Sequence, residues 1–152
     1  MPVSSKPRRR RVPRVQRPPS AHQVRVTFAP IDSLLAELAS GEVLCTNNGD
    51  PIMPVWGGEM YEVGPALEGW INCWQRIVDG ERLSDAIDLD PLRELHDRLA
   101  MGMMLSAELV SACMRVTDAC RAAYGRMTRA RAKAHSLTEL IAIEVEGIED
   151  EQ

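Results

Sequence analysis

Aromatic residues make up only 4% of this 152-residue chain, and no apolar run is long enough to cross a bilayer. A membrane span needs about 18–20 apolar residues, whereas the longest candidate, Ala100–Val116, is broken by Ser106, Glu108 and Ser111. The basic residues near the start are followed by no apolar stretch, so the sequence predicts no secretory signal and a cytoplasmic location. The four cysteines, Cys45, Cys73, Cys113 and Cys120, form no CxxC pair. Neither a zinc site nor a thioredoxin-type motif is signalled, and the thiols read as small buried hydrophobes. Cys113 and Cys120 share a helix face but lie about 10 Å apart along it, too far for a disulfide.

Catalytic signatures are missing too. HExxH, GxSxG, the P-loop and the dinucleotide-binding glycine pattern do not occur. The acidic residues Asp85, Asp88 and Asp90 lack the glycine and the distal glutamate of a calcium loop, and helix capping explains them. His96, within Glu94-Leu95-His96-Asp97, has no recognisable second group for acid–base work. No catalytic residue, metal or cofactor is expected, and the chain reads as a non-enzyme.

What the sequence does have is a division of charge. The formal net charge of −4 averages unlike parts. Residues 1–20 hold seven basic and no acidic residues; residues 21–114 hold 5 basic and 15 acidic. Residues 115–133 hold 6 basic and 1 acidic, and residues 134–152 hold 6 acidic and no Lys or Arg. The first stretch, with Pro13, Pro18 and Pro19 among its cations, has too few apolar residues to offset the entropy of ordering, so residues 1–26 are expected to be disordered.

Beyond this arm, periodicity predicts a mainly α domain over 27–148 and a frayed acidic tail at 149–152. Pro30 opens a helix at 30–40, with Ile31, Leu34, Leu35 and Leu38 on one face and Gly41 as the cap. A small β-hairpin is expected near 43–63, with Val43–Thr46 a β-like run, Ile52–Val55 and Met60–Val63 further short strands, and turns at Asn47-Asn48-Gly49-Asp50 and Gly57-Gly58. Pro65 opens a second helix with Leu67, Trp70, Ile71, Trp74, Ile77 and Val78 facing the core. Asp90 and Pro91 start a third, as N-cap and first helical residue. Apolar residues at threes and fours then run to Met127, predicting one long helix of about 91–127, spanning about 55 Å, with Gly102 as its break or kink; the alternative is two helices, roughly 91–101 and 104–127. Ser136-Leu137-Thr138-Glu139 matches a capping box for a short helix over 137–147. A helical bundle with a helix much longer than its neighbours, rich in Gly, Ala, Ser and Cys, suggests a homo-oligomer.

Candidate binding residues follow from the charge. Arg8, Arg9, Arg10, Arg11, Arg14 and Arg17 on flexible chain can neutralise phosphates and release counterions, an anchor for DNA or RNA. Such contacts are indifferent to sequence, and without an aromatic in the arm base stacking is not expected there. Arg126, Arg129 and Arg131, in the stretch 121–133, could continue the footprint; alternatively they are cations solvating a helix end. Trp70 and Trp74, one turn apart, read as core. Trp56, Leu109 and Val116 are candidate partner contacts.

The layout of a basic arm (Pro-Arg-Arg-Arg-Arg-Val at 7–12), a compact helical body and a basic-then-capped helix pair (RARAKAHSLTELIAI, 129–143) resembles small accessory proteins of proteobacterial prophages. The resemblance covers the whole chain and implies a phage-derived protein without catalytic residues. The function expected is that of an accessory or regulatory protein binding nucleic acid non-specifically through the arm; the alternative is a protein–protein adaptor.

Overall fold

The computed structural model describes residues 13, 16–41, 50–54 and 60–135. Among them the architecture is mainly helical, in the order α1 (Ala21–Ser40), β1 (Ile52–Pro54), β2 (Met60–Glu62), α2 (Val63–Gly80), α3 (Asp90–Ala100), α4 (Ala107–Arg126) and α5 (Arg129–Ala134). α1 packs along α4, α4 against α3, and α3 against α2. None of these helices is long and apolar enough to cross a membrane.

α1 begins at Ala21, inside the stretch expected to be a disordered arm, and it extends far N-terminal to the predicted 30–40. The reason is a capping box. The Gln23 N–H donates to Ser20 Oγ at 3.2 Å, and the Ser20 N–H donates to Gln23 Oε1 at 3.0 Å. Two donors otherwise orphaned at the helix start are thereby satisfied. Pro30 consequently lies within the helix and not at its first turn. It removes one backbone donor, a cost offset by burial of Phe28 and Ile31 on either side. Gly41 ends the helix as expected, in the left-handed region at φ 77°, with its N–H shared between the Glu37 and Leu38 carbonyls.

The described residues hold no hairpin of the extent expected over 43–63. They show a three-pair antiparallel ladder, Ile52 with Glu62, Met53 with Tyr61 and Pro54 with Met60. Residues 42–49 and 55–59 lie outside the described residues.

In α2, all six positions predicted for the core face are buried, with Val63 and Cys73 beside them. Phe28 from α1 sits at the centre of an aromatic cluster. Its ring meets Trp70 edge-on at 5.1 Å and lies 6.1 Å from Trp74 and 5.8 Å from Tyr124. The core reading of Trp70 and Trp74 stands, and few as they are, four of the six aromatic residues meet here. Cys73, Cys113 and Cys120 are buried as well. Burial, with Glu94 adding to it, pushes the Cys113 thiol up to about 11, and burial pushes Cys120 up to about 12. Both remain protonated, and so poorly nucleophilic, at neutral pH. Cys45 lies outside the described residues.

The long helix over 91–127 is corrected: it is two helices, α3 and α4, separated at 101–106. Gly102 adopts φ 64°, and the chain closes on itself there. The Gly102 N–H donates to the Leu99 carbonyl at 3.2 Å and the Met103 N–H to Arg98 at 2.9 Å, a Schellman ending. Ser106 then caps α4, its Oγ accepting from the Leu109 N–H at 3.1 Å. The argument for a partner copy covering an over-long helix goes with it. The cap of α3 is corrected too. Asp88 accepts from the Asp90 N–H at 3.0 Å, while Asp90 lies inside the helix and pairs with Arg93.

Candidate nucleic-acid interface

Among the described basic residues, those of the stretch 121–133 and the base of the arm divide into two sets. Arg121, on α4, is consumed internally. Its Nη1 and Nη2 each reach an oxygen of Asp32 at 2.7 Å, a bidentate pair across α1 and α4, and Nη2 also approaches Asp118 at 3.4 Å. The guanidinium lies 5.0 Å from the centre of the Phe28 ring, adding a cation–π contact. Its hydrogen bond to Asp32 holds the Arg121 pKa above its ordinary value.

The second set gathers where the chain enters α1 and leaves α4. The Gln16 N–H donates to the Pro13 carbonyl at 2.9 Å, and Pro19 is buried. The Arg17 carbonyl then accepts the Arg129 N–H at 3.1 Å. That bond joins Arg17 to the first residue of α5, two basic residues far apart in sequence. Thr128 starts α5, its Oγ1 accepting from the Arg131 N–H at 3.2 Å. Met127 and Ala132 are buried and fasten one side of the segment to the body.

The C-terminal end of α5 is fastened by charge. Glu81, just past α2, is 15% exposed, and its Oε1 takes both Arg131 Nε and His135 Nε2 at 3.0 Å. The His135 ring lies over Gly80 so closely that a Cβ there would come within 2.5 Å of it. The Cys73 thiol approaches the His135 carbonyl at 3.9 Å. Arg131 is nevertheless 64% exposed, and among the described residues its outer nitrogens make no hydrogen bond.

Of the predicted binding residues, Arg17, Arg126 and Arg131 are exposed and Arg129 is half-buried, with its Nε enclosed and lacking a hydrogen bond. Arg8, Arg9, Arg10, Arg11 and Arg14 lie outside the described residues, as do Trp56 and the expected helix 137–147. Leu109 is corrected as a partner contact: it is buried in the chain's own core, because the Ser106 cap turns the first turn of α4 inward. Val116 is partly buried against the same core. The sequence assigns no role at the site to Glu81, Gly80 or His135. The only local signal was Thr128 as an N-cap ahead of RARA, which places α5 but not its partners.

Comparison with known protein families, curated proteins and solved structures finds no match.

Proposed function

We propose that the chain is a non-enzymatic, cytoplasmic accessory or regulatory protein of phage type. It binds DNA or RNA without sequence preference through Arg8, Arg9, Arg10, Arg11, Arg14 and Arg17, with Arg126, Arg129 and Arg131 extending the footprint. The observation that supports this reading is the Arg129–Arg17 backbone hydrogen bond at 3.1 Å, which brings the start of the basic helix to the base of the arm. Each phosphate neutralised adds its own counterion release, so cations that reach one stretch of phosphates together sum as one site. An acidic body confines the contact to that end of the molecule.

The test is nucleic-acid retention across a salt series, comparing the wild-type chain with one carrying Gln at Arg8, Arg9, Arg10, Arg11, Arg14 and Arg17. Each phosphate contact contributes a slope of about −0.9 in log K against log salt on duplex DNA. The substituted chain should lose most of the slope and bind at least about 100-fold more weakly at low salt. Equal retention by both would reject the reading.

A second reading, a protein–protein adaptor that could equally engage another copy, draws on the turn between α3 and α4. Met101 is 75% exposed and Met104 is 90% exposed, with Met103 and Met114 also open to solvent. Clustered exposed apolar side chains favour a protein contact. Replacing Met101, Met103 and Met104 with Gln should then abolish partner recovery after nuclease treatment and leave salt-dependent retention unchanged.

A further inference from the structure

We infer that Glu81 is a positioning residue for the basic site: it holds Arg131 by Nε so that the outer guanidinium nitrogens remain for a phosphate. This rests on the nucleic-acid reading above. The geometry differs from that of an ordinary neutralising pair. At Arg121 both outer nitrogens are taken by Asp32, at 2.7 Å each, and little is left for a second anion. At Arg131 the carboxylate comes nearest to the inner nitrogen, as an ion pair at 3.0 Å, and the side chain stays 64% exposed. The fork formed by Nη1 and Nη2 is the part that matches phosphate geometry.

Burial and a second, seated partner make Glu81 a fixed point. The carboxylate is largely buried at the end of α2, and the same Oε1 also binds His135 Nε2 at 3.0 Å. The imidazole is in turn seated on Gly80, where no side chain larger than hydrogen fits beneath it. α5 has six residues, too few to hold a helix by itself, so its direction depends on such fastenings. One end is tied through Arg129 to the Arg17 carbonyl and the other through Arg131 and His135 to Glu81. Arg131 is therefore presented from a clamped helix whose first residue is bonded to Arg17.

The sign of the Glu81→Ala effect separates this from simple charge balance. Removing a carboxylate from the protein raises its positive charge, and by that alone binding would tighten, by less than about two-fold at a distance near 10 Å in water. Loss of positioning predicts the opposite. Binding to a fluorescein-labelled random-sequence duplex is followed by anisotropy from 50 to 300 mM salt, these being conventional conditions in the range where phosphate contacts dominate. Glu81→Ala should weaken binding about three- to five-fold at low salt and reduce the salt slope by about one. Glu81→Gln, which keeps the oxygen acceptor, should restore most of both. In an Arg131→Gln background, Glu81→Ala should produce no further weakening, because it acts through Arg131.

Wild-type binding with Glu81→Ala equal or tighter, or equal weakening by Glu81→Ala with and without Arg131, would overturn this inference while leaving the nucleic-acid reading intact. No salt-dependent binding by the wild-type chain would overturn both.

Discussion

Arg121 and Arg131 are the same residue type, one helix apart in a single basic stretch, and they meet opposite fates. Arg121 points across α1 and α4, where Asp32 and the Phe28 ring enclose it. Arg131 is attached at one nitrogen and open elsewhere. Count and sign of charge do not distinguish them; what does is which nitrogens the fold uses. A cation held at both outer nitrogens stabilises the domain, and one held at the inner nitrogen can still meet a ligand.

The strongest way to break the comparison is to remove the ring beneath Arg121. Phe28→Ala empties the centre of the aromatic cluster and should cost about 3–5 kcal/mol in urea unfolding. Arg121→Gln is milder. Its pair with Asp32 is partly exposed and hence screened, so the loss should be about 1–2 kcal/mol, including packing on Phe28. Nucleic-acid affinity of the folded protein should stay within about two-fold of wild type. Arg131→Gln should show the mirror pattern, with stability changed by less than about 0.5 kcal/mol and low-salt affinity down about five-fold. Similar effects from both on both measurements would dissolve the distinction.

A pH series adds a test of the body alone. The Cys113 and Cys120 thiols have pKa values raised above the ordinary 9.0 by burial. A raised folded value means the stability they contribute is fully present below pH 9.0 and is lost as pH rises through the folded values near 11 and 12. The unfolding midpoint should fall progressively above pH 9.0, and less steeply in a Cys113→Ala, Cys120→Ala chain. The smallest effect is a gain. A Cβ at Gly69 meets nothing within 4 Å, so Gly69→Ala should stabilise α2 by about 0.5–1 kcal/mol, measured by thermal unfolding.

Periodicity made α2 legible because Leu67, Trp70, Ile71, Trp74, Ile77 and Val78 can share a face only on a helix. It failed at 91–127 because Leu99, Gly102, Ser106 and Leu109 keep helical spacing straight through a reversal, so the pattern continues where the backbone does not. The start of α1 was hidden because Pro18, Pro19 and the cations before them dominate the composition, while the Ser20–Gln23 box is a two-residue signal. At the candidate site the cations were legible and their partners were not. Asp32 pairs with Arg121, and Glu81 with Arg131 and His135, across tertiary contacts that no local spacing encodes.

The bond from Arg129 to Arg17 closes a loop that contains almost all of the described chain. Closing so long a loop yields a reward only after the intervening helices have packed. Docking of α5 therefore belongs to the end of folding, and its release to the beginning of unfolding. Backbone amides of Arg131 and Ala132 should exchange with solvent well before those of Trp74 or Leu95, because they open without the core. The basic end is in this sense a separately melting part, assembled last upon a body that is already complete.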